Sequence, residues 1–529
     1  MPPVLLYCIT IIGYVTLRIF RHRIDPDMNS LNGHLRLNTL LCTLLALTLT
    51  TVGVSTGAAA QSQGSTLPTI GGTGGGLIAG QQEADIGRQV LVSLRRSAPQ
   101  ITDPLVYDYL SAILYRLVPA APLQNRDLTL ALIDDPALNA FAVPGGIVGV
   151  NGGLFLFART EQQFASVLAH ELAHLSQRHF ARRLEQQQTS TPLTIAGLIA
   201  GIVLTAATQS DIGIAAIAGT QALAVQNMLE YSRANEQEAD RVGLDILANA
   251  GLDPRGMPEM FEIMARKSRL QGNRVPEYLS THPLSQSRVA DTQNRAAQYP
   301  LTRIEDSPEY HLIRARLQVH YAASAAAAID SFRAALNELN NTGTGSSNDI
   351  SNTAIRYGLA VAYIEDGQYA EAETLLNQLL LANPGRITFQ VTLAQSLIAA
   401  RHLTEARALL VRALARNPGN YPITHTLAQL ELASDNGAAA AELLSQLARN
   451  KPQQEHLWFQ LAEAEGMARD IVGVHRARAE YDALMGDLES AQRQLRQAQE
   501  KLTAGSPTRQ IVTERLSTIT AELNVRRSG

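Results

Sequence analysis

Pro384, Pro418 and Pro452 stand 34 residues apart. The same step joins Leu359, Leu393, Leu427 and Leu461, then Ala360, Ala394, Ala428 and Ala462, then Ala372, Ala406 and Ala440. Self-similarity at this period, with small residues at fixed places, is the mark of a solenoid of helix pairs. One such pair cannot bury its apolar face alone, so it stacks on its neighbours. Residues 310–337 read as a degenerate first repeat, 340–350 as a Gly/Ser/Asn loop, and Asp482 to Ala498 as part of a later repeat. The repeats commit residues 304–529 to an all-α array, an architecture that usually offers a concave protein-binding surface.

Ahead of the array, Ala169-His170-Glu171-Leu172-Ala173-His174-Leu175 reads H-E-x-x-H within a run expected to be helical from Glu161 to Glu185. On a helix, residues i and i+4 share a face, so His170 and His174 can hold one metal ion together. Glu171 sits about 100° round from His170, within reach of a metal-bound water. Two imidazoles as ligands and one carboxylate as general base make the zinc-peptidase constellation. The bland alternative is a solvated helix face that spells the motif by chance. Phe164, Val167, Leu168 and Leu175 supply an apolar stripe, and Ala165, Ala169 and Ala173 let another element pack close. His179 falls about 140° round from His174 on a continuous helix, which points it elsewhere, as a structural or solvated residue. A metzincin would need Gly at 177 and His at 180, where this chain has Gln177 and Phe180.

A further ligand is expected on a second helix, in Tyr231-Ser232-Arg233-Ala234-Asn235-Glu236-Gln237-Glu238-Ala239-Asp240. Glu236 and Asp240 lie on one face and Glu238 faces away. One carboxylate can ligate the metal while the next holds the far nitrogen of a ligand histidine. The alternative is an acidic, solvated helix. Upstream, helices are expected from about Gln81 to Arg96 and after Asp103-Pro104, and a strand over Leu128 to Ile133. Asn139 to Val150 reads as strand, Pro-Gly-Gly turn, strand. Ile147 to Val150 is expected as an edge strand beside the metal helix, with an ordinary buried hairpin as the alternative.

The chain has 529 residues, which calls for two or three domains. Its formal charge of −4 gives no reason to expect a nucleic-acid partner. Cys8 and Cys42 are the only cysteines, so a chain lacking the first fifty residues can use no thiol as nucleophile or ligand. Residues 37–54 followed by Gly57-Ala58-Ala59-Ala60-Gln61 have the grammar of a secretory signal. The reading is a signal over 28–60 that starts at Met28, with 1–27 an upstream mis-start or extra leader. The alternative is a membrane anchor over Val4 to Phe20, which Arg18 interrupts. Residues 61–79 read as a flexible linker. The apolar stretch 192–225 is expected as a buried helical hairpin, or else as a lid or a membrane-contacting surface.

His-Glu-x-x-His followed by Ser232-Arg233-x-x-Glu236-x-x-Ala239-Asp240 resembles the peptidase family of HtpX and the CAAX prenyl proteases. Asn139-Ala140-Phe141-Ala142 with Pro144-Gly145-Gly146 is similar to that family's segment before the metal helix. Ser280-Thr281-His282-Pro283-Leu284-Ser285-Gln286-Ser287-Arg288 is similar to the His-Pro…Arg element of its soluble members. The resemblance implies one zinc ion per chain held by His170, His174 and Glu236. It also implies Glu171 as base and Asp240 behind a ligand, with His282 able to approach the zinc and Arg288 near the reaction centre. HtpX has clear membrane spans, and none is expected here after the leader.

Together with a period of 34, the tetratricopeptide signature, the chain is identified as a member of the β-barrel assembly-enhancing (BepA-like) proteases. Members can carry cysteines in the repeats; this chain has none there, which excludes a disulfide role. The expected fold is an α+β zinc metallopeptidase domain over 80–303, mostly helical with a small sheet, followed by the tetratricopeptide solenoid over 304–529. The resemblance implies a periplasmic endopeptidase and chaperone-like factor. It would degrade stalled or misfolded outer-membrane β-barrel proteins and meet the barrel assembly machinery through its repeats. In the mechanism expected, Glu171 takes the proton of a zinc-bound water, Arg288 stabilises developing negative charge, and substrate adds as a strand along Ile147 to Val150. The rival expectation is a repeat-based assembly adaptor whose protease is latent or inactive. For the enzyme itself a latent resting state is expected, with His282 on the zinc and 192–225 over the cleft, opened when a client or partner binds the repeats.

Overall fold

The computed structural model describes residues 80–186, 232–270, 277–300, 304–342 and 350–528. The leader and linker readings, both cysteines and the 192–225 segment lie outside the described residues. No described helix is long and apolar enough to cross a membrane.

Helices α1 (Gly80–Ser97) and α2 (Pro104–Leu117) form where the sequence places them. Asp103 starts α2: its carboxylate accepts from the amides of Leu105 and Val106, and Pro104 occupies the first turn, where a missing N–H costs nothing. Three strands follow, β1 (Thr129–Ile133), β2 (Ala140–Val143) and β3 (Ile147–Asn151), in the order β1-β3-β2. β3 pairs parallel with β1 and antiparallel with β2. The expectation of an edge strand at Ile147 to Val150 is therefore corrected: β3 is the central strand, and all five of its residues are buried. Its lack of charge is the mark of a strand with neighbours on both sides; an edge usually carries a charge or proline that blocks further pairing. Gln100 bridges to Ile133 on the outer side of β1, while β2 packs on the motif helix.

That helix is α4 (Glu161–Ser176), which follows the short α3 (Gly153–Phe157). Thr160 caps it through Gln163 N. Every residue from Glu161 to His174 is buried, because α4 is the central element of the domain. The expected single helix to Glu185 is also corrected. α4 stops at Ser176, Arg178 adopts a left-handed φ of 50°, and α5 (His179–Gln186) starts in a new direction. Around α4 pack α6 (Arg233–Asn249) and α7 (Gly256–Leu270). Gly256 is what lets α7 approach: a Cβ there would stand 2.4 Å from the Gln162 carbonyl. Two further helices, α8 (Glu277–Thr281) and α9 (Gln286–Ala296), follow among the described residues of this part.

The described residues of the remainder form twelve helices in six successive pairs. They are α10 (Pro308–His320) with α11 (Ala325–Thr342), α12 (Ile350–Glu365) with α13 (Tyr369–Ala382), and α14 (Ile387–Ala399) with α15 (Leu403–Arg416). Then come α16 (Tyr421–Ala433) with α17 (Gly437–Asn450), α18 (Glu455–Met467) with α19 (Ile471–Leu484), and α20 (Leu488–Glu500) with α21 (Pro507–Ser528). The leucines and alanines that recur at 34 are buried in every repeat. The turn inside the second to fifth pairs obeys the same step: Gly367, Arg401, Asp435 and Arg469 all have positive φ. After each, the next amide returns to a carbonyl five residues back, as Gln368 does to Tyr363 and His402 to Leu397, which closes the helix end.

The array does not hang free of the peptidase part. One hydrophobic core runs without a break from Ile101 to Leu430. α2 packs on both α10 and α16. Arg316 pairs with Asp103 at 2.6 Å, and Arg95 of α1 reaches Glu455 at 3.1 Å and the Leu484 carbonyl at 3.0 Å. The Lys451 ammonium lies 5.0 Å from the rings of both Tyr107 and Tyr421.

Candidate metal centre

Adjacent turns of α4 place the His170 and His174 rings 4.6 Å apart with their Nε2 atoms 2.9 Å apart. α6 crosses α4 where Gly243 faces the His170 amide; a Cβ there would lie 3.4 Å from that nitrogen and 2.8 Å from Met257 Cε. This close crossing delivers Glu236, whose Oε2 is 3.5 Å from His170 Nε2 and whose Oε1 is 3.3 Å from His174 Nε2. One turn on, Asp240 Oδ1 lies 3.1 Å from His170 Nδ1. The loop after α8 brings in His282, with Nδ1 3.0 Å from Glu236 Oε1 and Nε2 3.6 Å from Glu171 Oε1. Ligand atoms of His170, His174, Glu236 and His282 all fall within 4.8 Å of one another.

The residues fit a zinc ion. Nε2 atoms whose lone pairs face each other at 2.9 Å, beside a carboxylate, repel unless a cation or proton lies between them. Tetrahedral bonds of about 2.0–2.1 Å set ligand atoms about 3.3 Å apart, close to the spacings among these three residues. Three imidazoles and one carboxylate are borderline-soft donors suited to that metal. The four donors, Glu171, Asp240 and Arg288 are all at most 3% exposed, so each is shielded from bulk solvent.

Electrostatics follow from that burial. Burial opposes charge on His170, and Asp240 and Glu236 outweigh it, so its pKa rises to about 9. Burial drives His174 well down. Glu236 resists the desolvation that would raise it and is held well below the usual range by His282, His170 and His174. Burial raises Glu171, only partly offset by His282 and His170.

Two residues stand differently from expectation. Arg288 is turned onto carboxylates: Nε and Nη2 donate to Asp240 at 2.8 and 2.7 Å, and Nη1 lies 2.7 Å from Glu236 Oε2 and donates to the Pro283 carbonyl at 2.7 Å. That geometry ties one guanidinium to both of these carboxylates of α6. His179 is neither solvated nor remote. It is buried, its Nδ1 lies 2.9 Å from His174 Nδ1, and burial takes its pKa down to about 4. The helical-phase argument failed because the helix ends between the two histidines. Glu238 faces away from the donor cluster, as expected, but meets His179 Nε2 at 3.1 Å.

Sequence reasoning also missed Tyr278. Its hydroxyl donates to Glu171 Oε1 at 3.1 Å, and its ring stacks on His282 with centroids 4.6 Å apart. The available signal was its place four residues before His282.

Residues 104–296 match the model of peptidase family M48, and residues 322–395 and 397–464 match tetratricopeptide repeats. The beta-barrel assembly-enhancing protease of Escherichia coli is 37% identical over 349 residues, which cover 65% of this chain and 68% of that protein. The chain belongs to the beta-barrel assembly-enhancing proteases. Another member, from Yersinia pestis, is 36% identical over 355 residues, 66% of this chain and 71% of its own length. The mitochondrial metalloendopeptidase OMA1 of Schizosaccharomyces pombe is 29% identical over 220 residues, 40% of this chain and 60% of that one. The bacterial matches thus span about two thirds of those relatives. The expected fold, a mostly helical metallopeptidase domain with a small sheet followed by tetratricopeptide repeats, holds.

Proposed function

We propose that the chain is a zinc-dependent endopeptidase of the bacterial periplasm. It acts on unfolded or misfolded outer-membrane β-barrel proteins and docks through its repeats on the machinery that assembles them. The observation that carries this reading is the buried four-donor cluster with Glu171 beside it. The relatives' names and the repeats support the client class and the docking role. A secretory signal ending near Gln61 fits the same compartment, and N-terminal sequencing of envelope material tests it.

His170, His174 and Glu236 would hold the zinc. When bound, the ion acidifies a water and polarises the scissile carbonyl. Glu171, its affinity for protons raised by burial, is suited to take the water's proton and pass it to the leaving amine. Tyr278 orients that carboxylate through its hydroxyl. Asp240 fixes the His170 ring, and Arg288 fixes Asp240 and Glu236. With β3 central, a substrate strand would add to the outer edge of β2, next to α4, where main-chain bonds accept many sequences alike. In casein cleavage with zinc content measured alongside, Glu171→Gln keeps the metal and loses hydrolysis; full activity in the metal-replete variant sinks the role.

The burial of all four donors supports a latent resting state over a permanently open enzyme. In this reading His282 is the fourth donor, a saturated tetrahedral site of the structural kind. His282→Ala then raises basal cleavage of an unfolded protein at full zinc occupancy. Lower activity would assign His282 to the chemistry. A chain that stays inactive as His282→Ala and still binds the assembly machinery would favour the adaptor.

A further inference from the structure

The left-handed Arg178 is an uncommon conformation for a residue with a side chain, and such backbone is often kept where it serves a site. Its guanidinium is paired with Glu83. The turn it makes folds the start of α5 back over the end of α4 and sets the His179 ring edge-on to His174, with centroids 4.8 Å apart.

The hydrogen bonds there have a direction. Glu238 Oε2 lies 3.1 Å from His179 Nε2 and also accepts from Arg182 at 2.8 Å. A carboxylate only accepts, so the proton of the neutral His179 ring is on Nε2 and its Nδ1 is bare. Nδ1 of His179 therefore accepts across the 2.9 Å contact, and the donor is Nδ1–H of His174. That leaves the lone pair of His174 on Nε2, the atom 3.3 Å from Glu236 and 2.9 Å from His170 Nε2. On the other histidine, Asp240 Oδ1 stands 3.1 Å from Nδ1 with no imidazole between them.

We propose that His179 is a positioning residue, which with Glu238 fixes the tautomer and ring angle of His174 so that its Nε2 is presented to the metal. The two histidines of the motif are thus oriented from one helix, α6, by two carboxylates: Asp240 in direct contact and Glu238 through an inserted imidazole. Partners of this kind set the basicity and direction of a ligand, and losing them weakens metal binding about ten- to a hundredfold.

The proposal rests on the metalloprotease reading, but its test reads metal binding rather than hydrolysis. Zinc affinity of the full chain is measured by chelator competition, and the visible absorption spectrum of the cobalt-loaded chain reports ligand geometry. His179→Leu should bind zinc about ten- to a hundredfold more weakly, with a shifted cobalt spectrum. His179→Asn keeps an acceptor in place of Nδ1 and should stay within about threefold of wild type with its spectrum unchanged. Wild-type affinity in His179→Leu, or equal weakness in Leu and Asn variants, overturns the proposal; the second result would mean that the ring only fills space. Should His179→Leu fail to fold, Glu238→Ala decides: it should weaken zinc binding in the wild-type chain and have no effect in the His179→Asn chain. Equal weakening in both backgrounds overturns the relay. A wild-type chain that takes up no zinc removes the metal reading itself and this proposal with it.

Discussion

Glu277 is a half-buried carboxylate one residue before Tyr278. Desolvation, reinforced by Asp135, lifts its pKa to about 8. Its protonated form is therefore the one the fold favours, and between the unfolded value near 4.5 and about 8 the folded chain binds more protons than the unfolded one. Stability from this group is fully present at low pH and is lost as pH rises through that window. Glu277→Gln should stabilise the chain by on the order of 2 kcal/mol at pH 8.5 and by little below about pH 4.5, read from urea unfolding at both pH values. At this scale His170, Glu171 and His174 were legible because their relation is local: four residues make one turn. Glu236 and Asp240 were legible for the same reason. Tyr278, His179 and the orientation of Arg288 were not, because each depends on where two separate segments meet or where a helix stops.

Elements were legible where their boundaries are chemical. Asp103-Pro104 starts a helix and Pro144-Gly145-Gly146 turns a hairpin through local stereochemistry alone. Arg178 carries no such sign: nothing in its side chain asks for a positive φ, and only the packing around it imposes one. The rank of β3 within the sheet was misread from a visible feature: its freedom from charge and proline, taken for an edge, marks a strand with neighbours on both sides. The repeats add a testable case. Gly367 occupies a left-handed turn position for which glycine has no steric penalty, while Arg469 holds the equivalent position with an exposed side chain. Arg469→Gly should stabilise the array by about 0.5–1 kcal/mol in thermal unfolding, relieving the Cβ clash.

For the whole molecule, the period of 34 announced a solenoid, but no periodicity could announce that its inner helices close over the peptidase part. That depends on α2, whose apolar residues fill two faces at once. The seam is held at its far end by Arg95, whose side chain is 4% exposed against Glu455 and the Leu484 carbonyl. Arg95→Ala strands both acceptors and should cost on the order of 3 kcal/mol, seen as earlier unfolding and faster nicking by a protease. The continuous core also imposes an order in time. Tyr107 ends against Tyr421, with ring centroids 5.8 Å apart, yet at ordinary rates of synthesis the second residue follows the first by roughly 15–60 s. Through that interval the side of α2 destined for α16 has no partner and stays open to the wrong one. Each new copy must therefore wait, half-assembled and sticky, in the same condition as the clients proposed for it.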